Sequence, residues 1–106
     1  MPKFLVQANY VGDGVKGLLK EGGTSRRANI EKIIKSLGGT LEAFYFAFGE
    51  TDAFVIAELP DNVSMSAIAL AVGASGSITV KTTVLITPEE VDQAVKKAPG
   101  FRAPGQ

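Results

Sequence analysis

From Lys3 to Tyr10 the chain alternates, with Phe4, Val6, Ala8 and Tyr10 on one side and Leu5, Gln7 and Asn9 on the other. A period of two predicts a strand. Beyond Gly12-Asp13-Gly14 the period lengthens: Val15, Leu18 and Leu19 mark one helical face until Gly22-Gly23 interrupts it. A second stripe, Ile30, Ile33, Ile34 and Leu37, runs to Gly38-Gly39, and Thr24 or Ser25 is placed to cap it. The first crossover is therefore expected to be one helix broken in two.

The stretch Leu41 to Leu59 is the most strand-like of the chain. It is rich in aromatic and β-branched residues and is interrupted by Gly49-Glu50-Thr51-Asp52, the pattern of a hairpin. With Glu50 and Thr51 at the centre of the turn, Phe48 falls opposite Ala53 and Phe46 opposite Val55. Phe44, Phe46 and Phe48 then share a core face with Ala53, Val55 and Ala57, and Tyr45, Phe54, Ile56 and Glu58 take the other face. Pro60-Asp61-Asn62 is expected to cap a helix over Ser64–Val72. A turn at Gly73–Gly76 leads to a strand over Ser77–Ile86. It carries Ile78, Val80, Thr82 and Val84 on one face and Thr79, Lys81, Thr83 and Leu85 on the other. Thr87-Pro88-Glu89-Glu90 combines a Thr cap, Pro at the first helical position and Glu at the third, opening a last helix to about Lys97.

This order predicts an α+β, ferredoxin-like βαββαβ domain over residues 1–97. It has a four-stranded antiparallel sheet, a first helix in two pieces and an extra C-terminal helix. The tail 98–106 is expected to be irregular or to reach a neighbour. Two right-handed crossovers cover one sheet face only. The other keeps Leu5, Gln7, Asn9, Tyr45, Phe54, Ile56, Lys81 and Thr83, too apolar for water and too polar for a core. A second copy pressed there accounts for both properties, with Leu5, Ile56 and Leu85 in the interface.

Composition narrows the chemistry. The 106 residues carry eleven basic and eleven acidic side chains and no long basic run, so the charge footprint of a nucleic-acid binder is missing. The chain contains neither His nor Cys. That removes disulfides, thiolate chemistry, zinc-thiolate sites, His-ligated haem and the Ser-His-Asp triad. No metal and no cofactor is expected. The opening MPKFLVQANY is too short and polar for a signal peptide, and no apolar run approaches the ~20 residues of a membrane span. A soluble, cytoplasmic protein without a membrane partner is expected.

Several blocks carry a family likeness: PKFLVQANY, GVKGLLKEGGTSRR, LEAFYFAFG, LPDNVS and VKTTVLITPEEVD. Together they resemble the GYD-domain family, over Met1 to about Lys97. The resemblance implies a dimeric α/β-barrel type of assembly, in which ferredoxin-like domains pair sheet to sheet around a cavity. It implies no catalytic mechanism. At the hairpin turn Gly49 and Asp52 match the family signature, and Thr51 stands where its Tyr is expected.

Three candidate sites follow from residue type and position. On the open face Gln7, Asn9, Tyr45, Lys81 and Thr83, walled by Phe54 and Ile56, suit a small organic ligand. A plain half-polar dimer interface accounts for the same residues. Gly22-Gly23 running into Thr24, Ser25, Arg26 and Arg27 suits a phosphate or carboxylate, although a helix break with solvated arginines explains it more simply. Glu50 and Asp52 are two carboxylates that could begin a hard-metal site, but calcium takes about six to eight oxygens, and turn chemistry explains them better. The functional expectation is a homo-oligomeric module that binds a small molecule or a partner. The alternative is a cofactor-independent isomerase or monooxygenase, with Lys81 as base and Tyr45 as acid.

Overall fold

The alternating segment forms strand β1 over Lys3–Tyr10 in a computed structural model that describes residues 1–106. Helices α1 (Asp13–Glu21) and α2 (Gly23–Ser36) make the first crossover. Strands β2 (Thr40–Phe46) and β3 (Ala53–Glu58) follow, then α3 (Asn62–Ala74), β4 (Ile78–Leu85) and α4 (Pro88–Lys97). The sheet order is β2-β3-β1-β4, and every neighbouring pair is antiparallel. This is the ferredoxin-like arrangement.

The break between α1 and α2 is a backbone event. Gly22 sits at φ 82, ψ 166, a region essentially reserved for glycine. It is also the residue that precedes α2, which has no side-chain cap. The expectation that Thr24 or Ser25 would cap α2 is therefore corrected, because the helix begins at Gly23 and both lie inside its first turn. At the far end Gly39 N–H donates to Ile34 O at 3.0 Å. A Cβ on Gly39 would stand 2.3 Å from Glu58 O, so only a bare Cα lets the chain pass from α2 into the sheet.

The other helices start on side chains. Asp61 accepts from Ser64 N–H at 2.8 Å ahead of α3. Thr87 and Glu90 form the expected reciprocal cap on α4, Thr87 accepting from Glu90 N–H at 3.1 Å and Glu90 from Thr87 N–H at 3.0 Å.

The core is built from Phe4, Ile34, Ala57, Leu59, Met65 and Ile68, joining β1, β3, α2 and α3 on one side of the sheet. Helix α4 buries nothing. The radius of gyration is 17.0 Å, against about 13 Å for a compact chain of this length. The excess reflects an elongated body, 57 Å on its longest axis.

The hairpin differs from its expected register. Phe46 pairs with Ala53 and Phe44 with Val55, two residues away from the expected pairing, and the connection spans Ala47–Asp52. The face assignment of Phe44 and Phe46 survives, since a shift of two preserves parity. Phe48 does not belong to the core: it lies in the loop, wholly exposed. An irregularity between Leu41 and Ala43 leaves Glu42 out of the ladder, where its carboxylate accepts from Lys3 Nζ at 2.8 Å.

Candidate functional site

The register arranges the open face in rows across the sheet. One row runs Tyr45, Phe54, Gln7, Lys81, and the next runs Ala43, Ile56, Leu5, Thr83. Leu5, Ile56 and Leu85 are half-buried, whereas Tyr45, Phe54, Lys81 and Thr83 are exposed. Leu5, Phe54 and Ile56 lie on the two central strands, and Lys81 and Thr83 sit on the β4 edge. Tyr45 and Lys81 occupy opposite edges of the sheet. Three strand spacings separate them, about 14 Å, so one chain does not bring this acid-base pair together. The five main cavities of the chain are lined by neither Gln7, Asn9, Phe54, Lys81 nor Thr83. Beyond the end of these rows Lys3 holds its Glu42 partner, and that hydrogen bond raises its ammonium above the ordinary lysine range.

Gln7 and Asn9 have structural partners. Asn9 Oδ1 accepts from Asp52 N–H at 2.9 Å, a donor that also reaches Ala8 O at 3.0 Å. The Asp52 carboxylate in turn accepts from Tyr10 N–H at 3.0 Å. Thr51 Oγ1 donates to Gln7 Oε1 at 3.3 Å. The loop is thus fastened to the end of β1 by its last two residues. Asp52 is a clamp rather than the start of a metal shell, and no three carboxylates of the chain gather closely enough to hold an ion. The residue pattern showed an acidic turn; its non-local partner was legible only as a strand end.

The Gly22–Arg27 segment separates into unlike parts. Thr24, Ser25 and Arg27 are exposed. Arg26 turns inward: its side chain is 19% exposed, and its guanidinium lies 3.5 Å from Glu21. Its Nε is fully shielded and has no hydrogen-bond partner. Thr24 and Arg27 border a shallow cavity of about 220 Å³ together with Gly23, Phe44 and Phe46, whereas Arg26 lines the cavities beneath and beside α2.

The GYD domain family model matches residues 4–95. The chain belongs to the GYD domain family. No curated protein matches it. Within this GYD domain Asp52 ties the hairpin to β1, and Thr51 adds a second tie through Gln7. No helix of this GYD domain is long and apolar enough to cross a membrane.

Proposed function

We propose that this GYD domain is a self-associating module whose open sheet face pairs with a second copy and encloses a small-molecule cavity between the two sheets. The observation that carries the reading is surface area. The chain exposes 7410 Å², whereas a compact monomer of 11.1 kDa exposes about 5,700 Å². The excess, roughly 1,700 Å², is shared between the open face and the elongated parts of the body, α4 and the tail 98–106, which bury nothing. Only nine of the 106 residues are buried, so much of the apolar inventory has no partner within the chain. The open face has the composition of an interface, with Leu5, Phe54 and Ile56 at the centre and Lys81 and Thr83 towards a polar edge. Tyr45 borders a cavity at the β2 edge with Arg27 and Glu31, but none of the five main cavities joins it to Gln7, Lys81 or Thr83. The face therefore needs a second wall before these residues can surround one ligand.

Sedimentation at micromolar concentration tests the pairing. An assembly of two or more chains is expected, and Ile56→Asp is expected to reduce it to monomers by placing a charge in a desolvated centre. A monomeric parent protein, or an intact assembly in Ile56→Asp, would refute the sheet-to-sheet arrangement. Native mass spectrometry of gently purified protein addresses the cavity, which predicts a retained small molecule in fixed ratio to subunits.

A further inference from the structure

The helix-covered side of the sheet holds a second and independent feature. Beneath α2 and α3 lies a narrow apolar cavity of about 60 Å³, walled by residues such as Ala8, Ala53 and Ala69, in which Arg26 is the only charged side chain. Against it stands a wider cavity of about 360 Å³, between α1, α2 and the turn from α3 to β4. The two share Tyr10, Arg26, Ile30, Val72 and Ile78. The wider volume is of the size that receives small organic ligands.

Arg26 stands at this junction with an unsatisfied Nε. That Nε is shielded from solvent, so a ligand in the cavity meets the guanidinium through its terminal nitrogens, of which Nη1 faces Glu21. Its one ionic neighbour, Glu21, is 48% exposed at 3.5 Å, so that contact is solvent-screened and easily exchanged. A planar carboxylate matches the guanidinium fork. Asp13 and Glu21 also border the cavity and repel any anion, a dianion twice as strongly as a monoanion, so the single guanidinium is matched by a singly charged acid. Leu18, Ile30, Ile33, Val72 and Ile78 supply an apolar wall for the body of the molecule. We infer that the cavity at the α1–α2 elbow is a binding site for a small monocarboxylic acid with an apolar body, its carboxylate held by Arg26. The site lies on the opposite side of the sheet from the open face and does not depend on pairing.

The test is titration of the full chain with sodium benzoate, sodium hexanoate, benzyl alcohol and inorganic phosphate, followed by amide NMR. Benzoate or hexanoate is expected to shift saturably the amides of Gly14, Gly17, Leu18, Val72 and Ser77, while phosphate and benzyl alcohol do so at least tenfold more weakly. Arg26→Met is expected to weaken the acid tenfold or more. Gly17→Leu gives a second variant less prone to misfolding, because nothing lies within 4 Å of a Cβ at Gly17 and leaving glycine favours the helix. It is expected to weaken the acid by occupying the cavity it lines. Unmoved amides with both acids would overturn the inference. So would equal binding of benzyl alcohol, or unchanged acid affinity in a folded Arg26→Met or Gly17→Leu variant.

Discussion

The two crossovers perform the same topological task and are held in different ways. The second is one helix, α3, started by the Asp61 side chain and seated by Met65 and Ile68, both buried, with Ala69 and Val72 packed beside them. The first divides at Gly22. Its second piece, α2, is seated by Ile34 with Ile30 and Ile33 alongside. Its first piece, α1, contributes nothing to the core, and Val15 and Leu19 are 46% and 82% exposed. The one buried residue of α1 is Gly14, where a Cβ would run into Ser77 O, and of its apolar side chains only Leu18 is half-buried. Side-chain burial holds α3 and α2; close backbone approach holds α1. That contrast explains why the wider cavity opens beside α1.

The largest expected effect follows from this difference in seating. Truncating Met65 to Ala should lower stability by about 2–5 kcal/mol, through lost transfer free energy and a residual cavity. The corresponding truncation Leu19→Ala on α1 should stay within about 0.5 kcal/mol, as for exposed sites without special features. Urea denaturation at one fixed protein concentration measures both, fixed because self-association makes stability concentration-dependent. Equal losses at the two positions would abolish the distinction between the crossovers.

The next effect is at the hinge. Gly22→Ala forces a side chain onto φ 82, which should cost about 1–3 kcal/mol. The loss should fall on α1 first, because α2 keeps its buried stripe. Hydrogen exchange should therefore show α1 amides losing protection ahead of those in α2. A uniform loss across both helices would mean that they form one cooperative unit.

Much of this was legible in the sequence because the evidence for it is local. The period of two in Lys3–Tyr10 and the Thr87-to-Glu90 cap lie within a few residues, and each appears where expected. So do the glycine break at Gly22 and the placement of the crossover helices α2 and α3 on one side of the sheet. Other features depend on residues distant in sequence. The hairpin register moved by two because Asp52 is committed to Tyr10 and Asn9, more than forty positions away. A tight turn at Glu50-Thr51 would break those ties. Phe48 reads as core by its neighbours, yet lies in the loop this clamp defines. Arg26 reads as a solvated twin of Arg27, but one buries its stem and the other does not. Long basic side chains can do either, and only the fold decides. The open-face row was inferred correctly by parity, yet the separation of Tyr45 from Lys81 became visible only once the strand order was known.

The smallest effect concerns the helix starts and sharpens the comparison through pH. Asp61 accepts from Ser64 N–H, and this hydrogen bond holds its carboxyl below the ordinary carboxylate range. The folded state therefore prefers the ionised acid more than the unfolded chain does. The resulting stabilisation is complete above the unfolded carboxylate range and disappears as pH falls through the lower, folded value. Asp61→Ala should accordingly lower the denaturation midpoint at neutral pH, by less than either change above, and the gap from the parent should close as the solution is acidified. Asn at this position retains a cap without a titrating group, so Asp61→Asn should recover much of the loss at neutral pH, while its difference from the parent changes with acid in the same sense as that of Asp61→Ala, because the titrating group is the parent's. The first crossover has no counterpart, since Gly22 offers α2 no side-chain cap; Thr24→Ala and Ser25→Ala should leave the pH profile unchanged. A parent-minus-Asp61→Ala difference independent of pH would show that the carboxylate charge does not help to start α3. The cap contrast between the crossovers would then reduce to hydrogen bonding alone.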